Sequence, residues 1–187
     1  NDYHALTTEL ALGFKDFISP DAPDIYPEEL RADIDALNVI IYADFNLAVN
    51  LAALVTNQKD YEYYYDRIFA RLDWLEERLS KQRYLMGDTI TDSDIRIFPT
   101  LARFDLVFYQ KYLVNKKRLV DYPNLWNYAK DLYSNPAFGG TTDFDSMRKR
   151  FYYVDHTPFE DLPRLIPKGP DDSIWLEPND RAEKFGK

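Results

Sequence analysis

The sequence of 187 residues predicts an all-α fold: a bundle of five or six helices followed by an extended, proline-rich C-terminal arm. Three observations carry this prediction. Apolar residues recur at three- and four-residue steps over long segments, a helix-capping motif stands at residues 91–94, and the chain shows no coherent set of strand-like segments. Hydrophobic residues make up 45% of the chain, which supplies a core and excludes wholesale disorder.

Two long amphipathic helices are predicted in the first half of the chain, after a helical N-terminal stretch of 17 residues. One runs from about Pro27 to Val55, because proline suits a first helical position and two glutamates follow it at the positive end of the helix dipole. The other covers about Lys59 to Lys81, with apolar steps of four and three that suit a near-parallel neighbour. Their apolar stripes are Leu30, Ile34, Leu37, Ile41, Phe45 and Val49 in the first, and Tyr61, Tyr65, Ile68, Leu72, Leu75 and Leu79 in the second.

A third long helix begins at a capping motif. Thr91 and Asp94 form a capping box, with Asp in the place of the usual Glu, and Ile90 and Ile95 occupy the staple positions that flank it. We expect the helix to continue to about residue 112, with a kink at Pro99, where the backbone donor is missing.

Two shorter helices and a tail complete the prediction. Helices are expected over about 123–134, stopped by Asn135-Pro136, and over 142–153, with Thr142 or Asp143 as the cap. We therefore divide the chain into a helical domain, residues 1–153, and an extended tail, residues 154–187, which packs on it. The apolar residues expected to hold the tail are Phe159, Leu162, Leu165, Ile166, Ile174, Trp175 and Leu176.

Composition excludes several classes of function. Acidic residues number 32 and basic residues 23, so the net charge of −9 disfavours a nucleic acid or an anionic membrane as partner. No run of apolar residues approaches the roughly 20 that cross a bilayer. The chain has no cysteine and therefore no thiol nucleophile, and its two histidines show no metal-binding spacing, so we expect no metal.

Residue types alone leave the chemistry open. Residues 151–156 offer two phenols, a carboxylate and an imidazole close together, but the tyrosines would serve equally to anchor the tail. Tyr61, Tyr64 and Tyr65 share a helix face, which suits either core packing or a subunit contact. No pair of acidic residues has a spacing that indicates acid/base catalysis, so these residues alone do not reveal an enzyme.

A resemblance to a known family adds to this interpretation. The capping box, preceded by Leu-Glu-Glu-Arg-Leu at 75–79 and Arg-Tyr-Leu-Met-Gly-Asp at 83–88, resembles the C-terminal helical domain of glutathione transferases. Further motifs resemble the glutathionyl-hydroquinone reductases, the Xi class of that family, over nearly the whole chain. These motifs are residues 26–38, 72–79, Arg103-Phe104-Asp105, 121–125, 131–133, Tyr152-Tyr153 and Ile166-Pro167-Lys168-Gly169-Pro170.

The resemblance implies a two-domain protein of which this chain is one part. An N-terminal thioredoxin-like domain, expected to be missing here, would bind glutathione and carry the catalytic cysteine, so the chain alone would be inactive. Asp2 resembles the end of that domain on the glutathione side, with Tyr3 where the family has a serine. The resemblance also implies glutathione as co-substrate, a quinone-derived aromatic thioether as substrate, a homodimer and a cytoplasmic location.

Five residues correspond to the family's substrate pocket. They are Asn46, Asn50, Phe108, Tyr152 and Tyr153. Asn50 and Phe108 stand where the family has tyrosines, so two hydroxyl donors are lost, and only the Tyr152-Tyr153 position keeps its phenols. Two hypotheses follow: the substrate-side domain of a thiol transferase or reductase that acts on glutathionyl-hydroquinones, or a non-catalytic interaction module.

Overall fold

The computed structural model describes residues 5–19, 21–154 and 165–186 and shows an all-α protein, as predicted. The described residues form ten α-helices. π-helical turns divide two of the predicted helices, and two short helices, α8 and α10, were not predicted, which explains why the count exceeds five or six. The helices are α1 (Leu6–Gly13), α2 (Arg31–Ile41), α3 (Ala48–Leu54), α4 (Gln58–Leu79), α5 (Asp92–Arg103), α6 (Tyr109–Lys111), α7 (Pro123–Ser134), α8 (Pro136–Gly139), α9 (Phe144–Arg148) and α10 (Arg181–Phe185).

The predicted first long helix is one helical run with a π-helical turn inside it. A 3-10 turn over Glu28–Leu30 leads into α2, and the π turn covers Tyr42–Asn46 before α3 begins. Within the turn the Leu47 N–H donates to the Tyr42 carbonyl, five residues earlier, at 2.8 Å. One extra residue per turn rotates α3 relative to α2, which a regular periodicity does not reveal.

The run Glu28–Leu54 is also long and apolar enough, by length and composition, to cross a membrane, which corrects the expectation that no segment approaches that size. Ile34, Ile41, Phe45 and Val49, predicted on one stripe, are fully buried among the other helices. A core helix meets the same composition test, and this burial assigns the run to the core of the bundle.

Helix α4 packs on α3 and matches its prediction closely. The Asn57 side chain caps its start, accepting from the Asp60 N–H at 2.9 Å. Its predicted apolar face lies in the core, with Tyr61 and Tyr65 half-buried beside it and Tyr63 exposed on another side.

The capping box at the start of α5 is present, as predicted. The Thr91 N–H donates to Asp94 Oδ2 at 2.8 Å, and Asp94 Oδ1 accepts from the Leu85 N–H and the Tyr128 hydroxyl. Asp94 therefore joins α5, the preceding loop and α7. The third long helix, predicted to continue to about residue 112, is interrupted by a π turn over Phe104–Phe108, between α5 and α6.

Helix α7 begins at Pro123, as predicted, and its first turn is capped by another helix. Glu76 of α4 accepts from the backbone N–H groups of Asn124 and Leu125 at 3.0 and 2.8 Å. Asn135 ends α7 and caps α8 in turn, and Asp143 is the cap of α9, accepting from the Ser146 N–H.

The prediction of a wholly extended tail is wrong for the residues that are described. A 3-10 turn covers Asp172–Leu176, and α10 follows it. Trp175 is buried in the core and Ile174 packs against it, as expected, but Leu165 and Leu176 are 81% and 76% exposed. Phe159 and Leu162 lie outside the described residues, and Ile166 is 40% exposed. Polar contacts do much of the anchoring instead: Arg148 of α9 forms an ion pair with Asp172 at 2.5 Å.

Helix α1 presents most of its apolar residues to the surface. Leu6, Leu10, Leu12 and Phe14, the apolar positions of the predicted N-terminal helix, are all exposed. Its tie to the bundle is polar, through Thr7, whose hydroxyl accepts from Arg96 of α5 at 2.5 Å.

Candidate functional site

Asn46 and Asn50 lie on one face of the first helical run, four residues apart. Asn46 is a clamp: its Nδ2 donates to the Arg96 carbonyl at 3.0 Å, and its Oδ1 accepts from the Thr100 hydroxyl at 2.9 Å. Asn50 donates to the Asn46 carbonyl at 2.9 Å and is half-exposed. The π turn is thus fixed on α5 at Asn46, while Asn50 stands one turn further along, on α3.

Buried polar side chains fix the start of α5 beside this clamp. Asp92 Oδ2 accepts from Asn38 Nδ2 at 2.8 Å and from Arg96 Nε at 2.6 Å, and the Ser93 hydroxyl donates to Asn38 Oδ1 at 2.8 Å. A buried ion pair that is also hydrogen-bonded specifies position, because removing either partner leaves an uncompensated charge. The register of α5 against α2 is therefore set here.

Phe108 is buried at the end of the second π turn, with 3% of its surface exposed. Its ring packs on Tyr112, with centroids 5.4 Å apart, and on Phe151 at 6.2 Å. Phe108 therefore connects Tyr112, at the end of α6, with Phe151, in the segment that follows α9.

Tyr152 lies beside this aromatic cluster, and Tyr153 is exposed. The Tyr152 hydroxyl donates to the Leu106 carbonyl at 3.0 Å, and its ring faces Lys111 Nζ at 5.7 Å from the centroid. Burial raises the pKa of the Tyr152 phenol, which keeps it protonated at neutral pH. Asp2, expected on the glutathione side, lies outside the described residues.

A cavity of ≈ 450 Å³ opens between the end of α3, the start of α4 and α6. We call it the α3–α6 cleft. Ala53 lies three residues beyond Asn50, so Asn46, Asn50 and Ala53 share a helical face that leads into it. On the other side Tyr112 connects the cleft to Phe108. The described residues lining it are Ala52, Ala53, Val55, Thr56, Asn57, Gln58, Tyr61, Lys111, Tyr112 and Leu113.

None of the described lining residues was predicted as a site residue, and three of them, Tyr61, Lys111 and Leu113, give the cleft much of its character. The Tyr61 hydroxyl donates to the Leu113 carbonyl at 2.8 Å, across 52 residues. Leu113 has a φ of 60°, the left-handed region that favours glycine, and more than half of its side chain is exposed. Strained residues cluster at functional sites, but a leucine in the left-handed region leaves no pattern in the sequence from which it could be predicted.

The described residues, 5–19, 21–154 and 165–186, contain no group of three or more His, Asp or Glu side chains placed to hold a metal ion. The lining of the α3–α6 cleft offers the rings of Tyr61 and Tyr112, the amides of Asn57 and Gln58 and the Lys111 ammonium group, a chemistry that suits binding a polar aromatic molecule.

Comparison with known proteins agrees with this fold. The family model for the glutathione S-transferase C-terminal domain matches residues 58–131. Glutathionyl-hydroquinone reductase PcpF from Sphingobium chlorophenolicum is 37% identical over 147 residues, which are 79% of this chain and 46% of that protein.

Solved structures extend the likeness over the whole chain. A glutathione transferase from Gordonia bronchialis superposes with a TM-score of 0.92 at 42% identity, covering 100% of this chain and 58% of that one. The glutathione-bound structure of YqjG from Escherichia coli gives a TM-score of 0.85 at 32% identity, with coverages of 95% and 56%. The chain spans about half the length of the curated relatives it matches. It belongs to the glutathione transferase family, as a C-terminal helical domain of the glutathionyl-hydroquinone reductase (Xi) type.

Proposed function

We propose that the protein carrying this chain is a glutathione-dependent thiol transferase or reductase that acts on glutathionyl-hydroquinone-type thioethers. The chain would be its substrate-side domain. The observation that carries this proposal is the α3–α6 cleft. Ala53 continues the helical face of Asn46 and Asn50 into it, and the Tyr112 ring packs on Phe108, in a chain similar in sequence to PcpF and in fold to glutathione-bound YqjG.

The proposed reaction divides between two domains. A cysteine thiolate of an N-terminal thioredoxin-like domain attacks the glutathione sulfur of the thioether, the carbon–sulfur bond breaks, and the ring carbon takes a proton, which gives the hydroquinone and a protein–glutathione disulfide. A second glutathione thiol then reduces that disulfide and releases oxidised glutathione. The thiolate comes from outside this chain, because the chain has no cysteine.

This chain would hold the aromatic ring during the attack. The ring would stack against the cluster formed by Phe108, Tyr112 and Phe151, and its oxygens would face Asn50 and Lys111. Charge that develops on a ring oxygen is stabilised by donors aimed at it. Because the Tyr152 hydroxyl donates its hydrogen bond to the Leu106 carbonyl, the donors to the ring oxygens would come from the Asn50 amide and the Lys111 ammonium group.

We also propose a homodimer located in the cytoplasm. The exposed apolar residues of α2 and α4, Val39, Ile40 and Tyr63, support a contact between copies, since a surface of this kind is covered in stable dimers.

Turnover of glutathionyl-menadione by the full-length protein tests the proposal. With glutathionyl-menadione reduced beforehand to its hydroquinone, we expect release of menadiol and formation of one oxidised glutathione per cycle, from the thioether's own glutathionyl group and one free thiol. A folded full-length sample without turnover, together with an upstream segment that lacks a Cys-Pro at the start of a helix, would favour the non-catalytic interaction module instead.

A further inference from the structure

Arg103, the last residue of α5, carries a guanidinium that meets no carboxylate in the part of the chain that the structure describes. Its Nη1 donates to the Pro99 carbonyl at 2.6 Å, within its own helix. The side chain is half-buried, and this burial lowers the pKa of the guanidinium, with no acidic neighbour opposing the effect. Five other arginines that are buried or half-buried pair with an acid: Arg67 and Arg71 with Asp44, Arg83 with Asp131, Arg96 with Asp92, and Arg148 with Asp172.

Helical spacing relates Arg103 to Asn46, although Arg103 is not among the described residues that line the α3–α6 cleft. Arg103 follows Thr100 by three residues, so the two lie on neighbouring positions of one helix face, and the Thr100 hydroxyl donates to Asn46. Its bond to Pro99 turns the guanidinium back along α5 towards that turn, and Pro99 is exposed. The charge therefore lies on the solvent side of α5, about one turn beyond Thr100, the residue that bonds to Asn46.

An uncompensated charge in a half-buried place is costly, and the guanidinium has donors to spare. Of its five N–H groups, one is hydrogen-bonded within the described part of the chain, to the Pro99 carbonyl. The others form a planar fork whose geometry matches a carboxylate or another ionised oxygen pair. In a protein of net charge −9 an anionic ligand is repelled overall, so it needs such a local cation to be held.

We propose that Arg103 is a specificity-determining residue that binds a carboxylate on the aromatic ring of the substrate. The preferred thioethers are then glutathionyl-hydroquinones that carry an acidic ring substituent. This inference rests on the proposed function for its substrate class. The Arg103 guanidinium would compensate for the hydroxyl donors that Asn50 and Phe108 do not provide, because it would orient the aromatic ring through the carboxylate on that ring.

The test compares the full-length wild type with Arg103→Gln, Arg103→Lys and the control Arg118→Gln. Arg118 is an exposed arginine paired with Asp121, so its replacement removes the same charge away from the site. Two substrates are used, glutathionyl-menadione and the glutathionyl derivative of 2,5-dihydroxybenzoate, which adds a ring carboxylate.

We expect Arg103→Gln to raise KM for the carboxylate substrate roughly ten- to hundred-fold, the range for one charged hydrogen bond, and to leave KM for glutathionyl-menadione within about two-fold. Arg103→Lys restores part of the loss because it keeps the charge but not the fork. Arg118→Gln leaves both values unchanged. The inference is overturned if, for each of the two substrates, KM is the same in Arg103→Gln as in wild type, even if the variant is less stable. The partner of Arg103 would then be another part of the protein.

Direct binding separates this inference from the proposed function. The dissociation constant of free 2,5-dihydroxybenzoate for full-length protein is measured by titration calorimetry. Binding to wild type that weakens in Arg103→Gln supports the anion site even where no thioether is turned over, and in that case only the proposed function fails. Equal binding to both proteins, or none to either, overturns the anion site while turnover of glutathionyl-menadione still stands.

Discussion

The guanidinium of Arg181, at the start of α10, donates to the carbonyl of Leu79, at the end of α4, at 2.7 Å and across 102 residues of sequence. It also donates to the carbonyls of Gln82 and Arg83, the latter at 2.6 Å. Arg181 is fully buried. A cation at the negative end of a 22-residue helix is held by the helix dipole and by carbonyls that have no partner within the helix.

Replacing Arg181 with Met is predicted to lower the free energy of unfolding by ~2–4 kcal/mol. The methionine keeps the apolar stem but leaves up to three carbonyls without this donor, and each unsatisfied buried group costs about 1–3 kcal/mol before relaxation. Urea denaturation followed by circular dichroism measures the change. The control is Lys184→Ala, whose exposed ammonium bonds to Asn124, with an expected change within ~0.5 kcal/mol. Equal midpoints for the two variants would show that α10 is not a structural anchor.

The contact between Arg181 and Leu79 also shows which part of the fold could be predicted. The stripe from Ile68 to Leu79 and the capping box at Thr91 are local patterns, so periodicity and spacing identify them. A basic residue in a proline-rich tail looks like a solvated side chain, because its burial depends on carbonyls about one hundred residues away. The same reason explains why Leu165 and Leu176, apolar by type, were wrongly expected to pack.

The candidate site divides in the same way. Asn46 and Asn50 are four residues apart, so the sequence alone places them on one face, and the family resemblance identifies Phe108 and Tyr152. The opposite wall of the cleft depends on a turn that brings Lys111 to Tyr61, and it was not foreseen. Roles in binding for these residues stay predictions.

The ion cluster between the first π turn and α4 makes stability depend on pH. Asp44 accepts from Arg71 at 2.6 Å and from Arg67. Burial alone would raise the pKa of the Asp44 carboxyl, but the hydrogen bonds from the two arginines lower it overall, below its value of 3.8 in an unfolded chain. The native state then favours the charged form, so this contribution is present above about pH 3.8 and is lost as the pH falls through the lower native pKa.

We therefore predict that Asp44→Asn lowers the free energy of unfolding by ~1 kcal/mol at pH 7 and by progressively less below about pH 4. The value at pH 7 is small because solvent reaches the cluster and screens its charges. Urea midpoints at several pH values between 7 and 3 measure the difference. Asp88→Asn, which removes an exposed charge, serves as the control. A difference between wild type and Asp44→Asn that stays constant over this range would contradict the assigned direction.

The strain at Leu113 predicts a stabilising substitution. A leucine at a φ of 60° costs about 1–2 kcal/mol relative to the right-handed region, whereas glycine adopts that angle freely. The side chain is 57% exposed, so little buried surface is lost. We expect Leu113→Gly to raise the midpoint of thermal unfolding and to raise the free energy of unfolding by ~0.5–1 kcal/mol. This is less than the strain that is relieved, because glycine also increases the entropy of the unfolded chain. The adjacent control Asn115→Gly lacks strain to relieve and is expected to destabilise slightly.

Asn50 offers the sharpest test of the proposed substrate wall. It stands where the resemblance expects a tyrosine, on the face that leads into the cleft, and its own amide already donates to Asn46. Asn50→Tyr and Asn50→Phe both lose that amide and add the same ring, so they differ in one hydroxyl alone. A phenol aimed at a ring oxygen stabilises the charge that develops there as the hydroquinone leaves.

In full-length protein we expect kcat/KM for glutathionyl-menadione to be about tenfold higher in Asn50→Tyr than in Asn50→Phe. A tenfold ratio is below the hundred-fold typical of an evolved donor, since the neighbouring groups have not been adjusted to the new phenol. The gain belongs in kcat, because the donor acts on charge that forms only during the reaction. Equal values for the two variants would place the leaving hydroquinone oxygen away from α3, and the substrate wall would then have to be sought on the side of Lys111 and Tyr152.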